Sequence, residues 1–530
     1  MIPKIIHQTW KTETLPVPAA MPESWRALNP DWEYRFWTDA KLADFVRETY
    51  PDLWPLYKRA PKPVMRADIA RYLLLHHFGG VYADIDTTCT AALTPLEPET
   101  RVVLSQEPSE HWPPHTAPRA MPFLLFNGTM ASPAGHPFWQ HVITTLKACQ
   151  HARDVIEATG PMVLTGAALS YPDQGGLALH SCHLFNIDTK IGSQSQDAEF
   201  GPLAPLQAST HHWAGTWLKK ARFGRFNAPL VLFNKAAYTV TRGKYLSAAH
   251  ARALVDTATL NSPLPAYCGA DLPRISILIP LRNASRYVAR CFELIDALDY
   301  PKDRLKITFV EGESKDDTVE RLQGLIAPRK AHYRGINLSH FTTGITIPRR
   351  NRWRPQVQKK RRAAIAQVRN HLISEGLDSD DDFALWIDVD VCDYPADILH
   401  SLLQAEAKIV TPDCTKSPGG PSYDKNAFLD TGSTKNGYYY RHAIGGLFQP
   451  PASYSWRRHL HDLRYLTRVP LTGVGGTMLL VHASVHRAGI TFPDTPYDDL
   501  LETEAFAKWA ADMGVVPVGL PQVEIRHVDE

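Results

Sequence analysis

Two pairs of aspartates, each pair separated by one residue, are the strongest candidates for chemistry in this sequence. Asp84-Ile-Asp86 comes at the end of a run that alternates as a strand does, and Asp388-Val-Asp390 ends a second strand-like run. When a turn after the strand rotates two such carboxylates together, they aim at one divalent cation, which suits oxygen ligands and a substrate diphosphate. A lone Asp-x-Asp is weak evidence, because a solvated strand end also explains it.

A charged helix face strengthens the evidence that Asp84 and Asp86 belong to a binding site. Asp68, Arg71 and Tyr72 stand at i, i+3 and i+4, so a helix places them on one face, and Gly79-Gly80 leads from this helix into the strand before Asp84. A carboxylate and a guanidinium in that position could hold sugar hydroxyls and phosphate. The alternative is an ordinary surface ion pair, which would contribute little to stability.

Polar residues also follow two strand-like runs of the second half. One run ends in Pro280-Leu-Arg282, and the other leads into a helix start that holds Glu313 and Asp316. In a doubly wound α/β sheet, both strand ends open at the nucleotide crevice, which predicts a nucleotide site here. Capping of the helix is the alternative explanation for residues 314–317.

The elements that must position these residues predict an α/β protein, because short β-rich runs alternate with amphipathic helical runs in each half. The predicted strands are residues 4–7, 81–85, 274–280, 306–310 and 383–389, and the predicted helices are residues 64–78, 285–298 and 316–326. A turn-rich stretch at residues 261–265 separates the halves, and we place a boundary near residue 270. No repeat of roughly 20 to 50 residues is present, which excludes a solenoid.

The charges of the chain nearly cancel, since 57 Lys and Arg face 55 Asp and Glu. This balance gives no reason to expect nucleic acid as a partner of the whole molecule. Seven cysteines without a Cys-x-x-Cys pair form neither a zinc pattern nor a disulfide framework, which favours a reducing compartment. No apolar run is long enough to cross a membrane, and the first residues are interrupted by Pro3 and Lys4, so we expect no signal peptide or transmembrane segment.

Two features invite a second interpretation. The basic run from Arg349 to Arg362 could be a nucleic-acid patch, but no stacking module accompanies it, and we favour a loop that is solvated or lies over phosphates and an anionic acceptor. The histidine pairs His76-His77 and His211-His212 need no metal to explain them, and a lone His76 or His77 on an apolar helix is more often packed than a ligand.

The first ~245 residues resemble glycosyltransferase family 32, the DXD-containing sugar-binding family that includes fungal initiating α-1,6-mannosyltransferases. The resemblance rests on motifs in the family's order, at residues 2–10, 29–32, 36–39, 66–72, 79–86, 159–161 and 211–217. It implies a retaining transferase of GT-A fold, a class of Rossmann-like nucleotide-sugar domain. The residues it implies are Asp84 and Asp86 at the metal and diphosphate, Asp68 and Arg71 near the donor sugar, His7 and Trp10 on the nucleotide side, Asn127 near the sugar, and His212, Thr216 and Trp217 closing over the diphosphate.

Residues from Leu272 to Glu530 resemble glycosyltransferase family 62, the fungal mannan polymerase family. The motifs that carry the resemblance lie at residues 280–283, 313–318, 361–362, 369–370, 386–393, 473–476, 489–493, 502–504, 520–521 and 526–529. The family implies GDP-mannose as donor and a divalent cation, expected to be Mn²⁺, on Asp388, Asp390 and His527. It further implies that Arg362, with Arg361 or Arg369, reaches diphosphate or acceptor, and that Pro280, Arg282, Glu313 and Asp316 serve the nucleotide.

These observations together predict a bifunctional, retaining glycosyltransferase with two GT-A-type α/β domains in tandem. We expect one domain at residues 1–245, a linker at 246–271 and the second domain at 272–530. Each domain is expected to use one divalent metal and a nucleotide sugar, GDP-mannose or, in the first domain, a UDP-sugar. The expected acceptor is a growing cell-surface glycan or glycolipid. We expect a cytoplasmic enzyme, optionally peripheral to the inner membrane face, with no nucleic-acid partner. The alternative is one active half beside a glycan-binding or scaffolding half.

Overall fold

The computed structural model of the chain describes residues 1–185, 187–188, 206–212, 228–241, 243–265, 272–345, 347, 354–432, 435, 437–451 and 454–529. It comprises two compact units. Unit 1 is formed by Met1–Arg222 with Asp462–Thr467, and unit 2 by Phe223–His461 with Arg468–Glu530. Both contain helices and strands, so the predicted α/β class is confirmed. The domain boundaries at residues 245 and 272 stay predictions.

Unit 1 contains nine strands and eight helices among its described residues. The strands are β1 (Ile5–Trp10), β2 (Glu33–Thr38), β3 (Gly80–Ala83), β4 (Thr87–Cys89), β5 (Val102–Ser105), β6 (Thr129–Ser132), β7 (Leu177–His180), β8 (Ile187–Asp188) and β9 (Ser209–His211). The helices are α1 (Ala20–Leu28), α2 (Asp39–Thr49), α3 (Trp54–Arg59), α4 (Pro63–Phe78), α5 (Pro113–Thr116), α6 (Pro137–Ala148), α7 (Val155–Ala158) and α8 (Pro161–Ser170).

A six-stranded sheet in the order β2-β1-β3-β6-β5-β7 forms the centre of unit 1, beside a small sheet β4-β9-β8. β1 runs parallel to both β2 and β3. The helix α4 reaches β3 through Gly79 and Gly80, whose φ angles of 67° and 88° favour glycine. A Cβ at Gly80 would lie 2.4 Å from the Ile5 carbonyl oxygen, so β3 can lie beside β1 only with glycine here. This turn positions Asp84 directly after β3.

A short segment far along the chain completes the core of unit 1. Asp462 is fully buried and accepts hydrogen bonds from the Arg153 backbone N–H at 3.1 Å and from Arg153 Nη2 at 2.8 Å. The Tyr465 hydroxyl accepts a hydrogen bond from Arg119 Nε at 2.8 Å. Unit 1 is therefore built from residues that lie more than 300 positions apart in the sequence.

Unit 2 contains thirteen strands and ten helices among its described residues. The strands are β10 (Ile275–Leu281), β11 (Leu305–Glu311), β12 (Gly335–His340), β13 (Phe383–Ile387), β14 (Val391–Asp393), β15 (Ile409–Thr415), β16 (Phe428–Asp430), β17 (Ala443–Ile444), β18 (Leu447–Phe448), β19 (Arg457–His459), β20 (Val469–Pro470), β21 (Met478–His482) and β22 (Val518–His527). The helices are α9 (Ala228–Thr241), α10 (Ala248–Ala253), α11 (Thr257–Leu260), α12 (Val288–Asp296), α13 (Thr318–Ile326), α14 (Pro355–Gly376), α15 (Ile398–Leu403), α16 (Gly437–His442), α17 (Ala483–Arg487) and α18 (Glu502–Asp512).

The main sheet of unit 2 has the order β12-β11-β10-β13-β21-β15-β22-β14, with β20 paired to β22. Neighbouring strands run parallel in the part of the sheet formed by β12, β11, β10 and β13. Their carboxyl ends therefore open at one edge. β14 pairs antiparallel with β22 and aligns Val391 with His527, which brings the last strand beside Asp390. Among the described residues, no helix is both long and apolar enough to cross a membrane.

Replacing Gly166 of α8 with alanine is expected to destabilise unit 1 by about 1 to 3 kcal/mol. The added Cβ would lie 2.1 Å from the Tyr465 carbonyl oxygen, so the completing segment must shift. Gly324 of α13 is the matched control, because its Cβ would meet nothing within 4 Å. Gly324→Ala is expected to stabilise unit 2 by about 0.4 to 1 kcal/mol. Urea unfolding measures both, and equal effects of the two variants would contradict the role of the segment.

Candidate active sites

The acidic pair of unit 1 meets a histidine. Asp84, Asp86 and His211 each offer one ligand atom, and these three atoms lie within 4.8 Å of one another. His211 Nε2 is 3.3 Å from Asp86 Oδ1 and 3.9 Å from Asp84 Oδ2. The antiparallel pairing of β4 with β9 aligns Thr87 with His211 and so brings this histidine to the strand end. The ring of Phe126 packs edge-on against it, with centroids 5.0 Å apart.

A buried arginine holds the other side of the pair. Arg71 Nη1 lies 3.2 Å from Asp84 Oδ1 and donates a hydrogen bond of 2.7 Å to the Asn127 carbonyl oxygen. Its Nη2 lies 3.3 Å from Asp68 Oδ1. Asp68 also accepts hydrogen bonds from Asn127 Nδ2 at 3.1 Å and from Thr159 Oγ1 at 2.9 Å. The predicted helix face thus carries a buried network, and the surface ion pair offered as its alternative is wrong, because both side chains are buried.

Burial and charge set the ionisation of these acids. Burial raises the pKa of Asp68 to about 6, although Arg71 and the hydrogen bond from Thr159 oppose the shift. Burial also raises the pKa of Asp84, with Asp86 adding to the rise and Arg71 opposing it. A positive charge beside Asp84 therefore helps to keep the pair ionised near neutral pH.

The remaining predicted residues of unit 1 are placed as follows. His212 donates its backbone N–H to the Asp86 carbonyl oxygen at 3.0 Å and shares a 2.8 Å hydrogen bond with Thr88 Oγ1. Trp10 is the half-buried last residue of β1. Thr216 and Trp217 lie outside the described residues.

His7 is fully buried, and its ring contacts the Gly79 carbonyl oxygen at 3.0 Å and accepts from Trp37 Nε1 at 3.1 Å. Both ring nitrogens of His7 are thereby taken by protein groups, which leaves neither for a ligand.

Unit 1 is expected to lose folding stability in acid because His7 is buried. Burial lowers the pKa of His7 to about 4, whereas the unfolded chain takes up this proton near pH 6.5, so the folded state loses stability as pH falls from about 7 to 4. The full effect is about 3 kcal/mol. His7→Gln is expected to flatten the acid side of the unit 1 stability profile in urea unfolding between pH 7 and 4. The exposed His332 is the control, and an equal flattening by His332→Gln would contradict the assignment.

The acidic pair of unit 2 has the same two kinds of neighbour. Arg369 Nη2 lies 3.2 Å from Asp388 Oδ1, and His527 Nε2 lies 3.1 Å from Asp390 Oδ1. Burial raises the pKa of Asp388 to about 7, with Arg369 opposing and Asp390 adding to the rise. Burial alone would lower the pKa of His527, but its contact with Asp390 raises it above the ordinary value.

Two helices of unit 2 carry a buried ion-pair network behind this pair. Arg369 Nε also lies 3.3 Å from Glu502 Oε1, and Arg362 Nη1 lies 2.8 Å from Glu504 Oε2. Arg457 Nη1 reaches the other oxygen of Glu504 at 3.0 Å. Arg362 therefore binds the first turn of α18 through Glu504, while Arg369 contacts both Glu502 of α18 and Asp388.

The strand-end residues of unit 2 form a polar turn. Asn283 and Glu313 have φ angles of 50° and 61°, in the left-handed region. The Asn283 backbone N–H donates a hydrogen bond to Ser314 Oγ at 2.8 Å. Asp316 accepts from the Thr318 backbone N–H, the first of α13, at 3.2 Å, whereas Asp317, directly before the helix, makes no side-chain capping bond. The exposed Arg282 donates to the Ile345 carbonyl oxygen at 3.2 Å, and Pro280 is half-buried in β10.

His211, Glu502 and Glu504 were given no role by the sequence. His211 stands 125 residues beyond Asp86, and only strand pairing brings them together. The motif Glu502-Thr-Glu504 was part of the family resemblance, but its contacts with arginines of α14 are long-range. The pair His211-His212 was predicted to need no metal, and the structure places His211 beside both aspartates of the acidic pair.

The donor atoms of unit 1 fit a divalent cation. Two carboxylates and an imidazole form an oxygen and nitrogen set that Mn²⁺ accepts, whereas Mg²⁺ prefers oxygen alone. Asp84, Asp86 and His211 would hold such an ion in unit 1. In unit 2, Asp390 and His527 offer the same chemistry, while Asp388 contacts Arg369.

Two family models match the chain. Residues 19–103 match the glycosyltransferase sugar-binding region containing DXD motif, and residues 269–496 match Anp1. Inositol phosphoceramide mannosyltransferase 3 of Schizosaccharomyces pombe is 34% identical over 232 residues, which cover 40% of this chain and 60% of that protein. The mannan polymerase complex subunit mnn9 of the same organism is 28% identical over 275 residues, which cover 48% of this chain and 80% of that protein.

Among solved structures, the mannosyltransferase PcManGT from Pyrobaculum calidifontis, in complex with GDP-Man and Mn²⁺, matches with 14% identity and a TM-score of 0.29, covering 57% of this chain and 68% of that one. The chain spans less than two thirds of the length of the inositol phosphoceramide mannosyltransferases 2 and 3 that it matches. The family matches confirm both resemblances inferred from the motifs, and the matched relatives are named as mannosyltransferases and as subunits of mannan polymerase complexes.

Proposed function

We propose that the chain is a bifunctional, metal-dependent, retaining mannosyltransferase with two GT-A-type domains. Each domain transfers α-mannose from GDP-mannose to a growing cell-surface glycan, with a UDP-sugar as the alternative donor of unit 1. One observation carries the proposal. In each unit the first aspartate of the pair contacts a buried arginine and the second contacts a histidine, at 3.2 to 3.3 Å in unit 1 and 3.1 to 3.2 Å in unit 2.

The residues of each site have distinct proposed roles. When bound, a divalent cation neutralises the charge that grows on a departing diphosphate. Arg71 and Arg369 favour the ionised form of the first aspartate of each pair and fix its orientation. Asp68 and Asn127, which are buried beside Arg71 and hydrogen-bonded to each other, are proposed to lie near the donor sugar. The polar turns at Arg282 and Glu313 serve the nucleotide of unit 2. Retention of configuration is proposed from the family resemblance.

The acceptor is proposed to be a glycan or a glycolipid. Three of the relatives are named inositol phosphoceramide mannosyltransferases and three are named as subunits of mannan polymerase complexes, so both acceptor classes are represented among the matches. A glycolipid acceptor would require the enzyme to work at a membrane surface, and we include a peripheral membrane contact and a cytoplasmic location in the proposal.

A second candidate function assigns catalysis to one unit and glycan binding to the other. Among the described residues, three ligand atoms lie within 4.8 Å of one another at Asp84, Asp86 and His211, whereas Asp388, Asp390 and His527 form no such group. This difference favours unit 1 as the active half if only one half is active.

Donor consumption tests the proposal without an acceptor. The purified protein is incubated with GDP- and UDP-sugars, with Mn²⁺ or a chelator, as wild type and as Asp86→Ala and Asp390→Ala. In each variant, the rate of GDP-mannose consumption by the altered unit is expected to fall about 100-fold or more, because a group that stabilises developing charge is lost. The exposed Asp44 and Asp303 provide matched alanine controls.

The outcomes separate the candidates. Loss of all consumption in Asp86→Ala and none in Asp390→Ala supports the glycan-binding alternative for unit 2. Loss of UDP-sugar turnover in Asp86→Ala alone supports different donors in the two units. If wild-type protein neither consumes nor binds any donor, the mannosyltransferase proposal fails.

A further inference from the structure

The helix α9 of unit 2 presents large apolar side chains to solvent. Leu232, Phe233 and Val240 are 67%, 68% and 84% exposed. Helical periodicity places these three with Ala236 within an arc of about 100°, so they form one continuous apolar face. Exposed apolar residues that cluster in this way commonly mark an interaction surface.

The opposite side of the same helix holds it to unit 2. Tyr238 donates a hydrogen bond to Asp499 Oδ1, and its ring lies 5.3 Å from that of Tyr440 on α16. Asn234, one turn earlier on this side, is also partly buried. The helix is therefore anchored by its polar side and turns its apolar side outward, which is the reverse of a helix that packs into a core.

The charge of the surrounding sequence is strongly one-sided. Between Glu199 and Asp256 the chain has eight Lys and Arg and no Asp or Glu. Lys235 on α9 and Lys244 after it are both exposed. An apolar helix face bordered by cations is complementary to a bilayer with anionic headgroups, since the apolar side chains enter the acyl boundary while the cations meet the headgroups.

We infer that α9 is a membrane-docking helix that lies in the plane of an anionic lipid surface. The inference rests on the membrane contact included in the proposed function, but its evidence is α9 itself and not either acidic pair. A second copy of the chain would bring its own Lys235 and Lys244 against these cations, whereas anionic headgroups complement them, so the charge pattern favours lipid.

Vesicle flotation of the full chain tests the inference in the absence of any donor. Vesicles of phosphatidylcholine with phosphatidylserine are expected to bind the wild type, and pure phosphatidylcholine vesicles to bind it at least about tenfold more weakly. The double variant Leu232→Gln/Phe233→Gln is expected to lose binding about tenfold or more. Lys235→Glu/Lys244→Glu is expected to weaken binding about tenfold and to reduce its salt dependence.

Val516→Gln is the matched control, because Val516 is a 49% exposed apolar residue of unit 2 outside α9. It is expected to bind like the wild type, and all variants are expected to unfold at the wild-type temperature because they alter exposed side chains. Failure of the wild type to bind anionic vesicles, or equal binding by the double variant, would overturn the inference. A dimer that Leu232→Gln/Phe233→Gln converts to a monomer, without vesicle binding, would assign the face to a second copy instead. Donor consumption in solution is scored separately, so loss of vesicle binding does not count against the proposed catalysis.

Discussion

Replacing Arg71 with methionine is expected to remove the metal-dependent donor consumption of unit 1 at pH 7 and to lower its free energy of unfolding by about 3 to 5 kcal/mol. The reason is that Arg71 is buried between two carboxylates, at 3.3 Å from Asp68 and 3.2 Å from Asp84. Without the guanidinium, both acids lose their opposing charge. The pKa of Asp84, which burial already raises, is expected to rise further, and the protonated acid is a poor metal ligand.

Mn²⁺ titration calorimetry and urea unfolding measure the two effects of Arg71→Met separately. Arg47→Met is the control, because Arg47 is an exposed arginine of the same unit. Arg71→Lys keeps a positive charge and is expected to retain more Mn²⁺ affinity than Arg71→Met, although it cannot reproduce both carboxylate contacts. Wild-type Mn²⁺ affinity and donor consumption in Arg71→Met would show that the arginine only packs the helix.

Much of the unit 1 site could be predicted because its signals are local. Helical spacing placed Asp68 and Arg71 on one face, and the two glycines after α4 led directly to the strand before Asp84. His211 could not be found in this way, since its partner strand β4 lies more than 100 residues earlier in the sequence. The buried state of His7 was missed for a similar reason, because its partners Gly79 and Trp37 belong to other elements.

The α/β class of each half could be predicted from alternating strand-like and helical runs. Which segments of the chain make up unit 1 could not be predicted. No local pattern marks Asp462–Thr467 as part of the unit formed by Met1–Arg222, since Asp462 is hydrogen-bonded to Arg153, 309 residues earlier. In unit 2 the place of His527 beside Asp390 came from family resemblance, and the pairing of β14 with β22 is its physical reason. The role of Glu502 was missed because it depends on contacts between α14 and α18.

Replacing Arg369 with methionine is expected to have the largest effect on unit 2. Arg369 is buried, contacts Asp388 at 3.2 Å and Glu502 at 3.3 Å, and lies over the rings of Trp386 and Phe492. Its loss removes the arginine beside Asp388 and one of the arginines beside Glu502, which also lies 3.5 Å from Arg362 Nε. Because the charge of Asp388 is then buried without this partner, the free energy of unfolding is expected to fall by about 3 to 5 kcal/mol. The pKa of Asp388, already about 7, is expected to rise, so donor consumption by unit 2 should require a higher pH.

A second substitution separates charge from packing. In Arg369→Met/Glu502→Gln the buried carboxylate of Glu502 becomes neutral, so the double variant is expected to recover part of the stability that Arg369→Met loses. Lys360→Met is the control on the same helix, because Lys360 is exposed. Urea unfolding gives the three free energies, and additive losses in the double variant would show that the pair is not coupled. The pH profile of donor consumption should remain shifted in the double variant, because Asp388 still lacks its arginine, and this persistence ties Arg369 to the acidic pair as well as to the core.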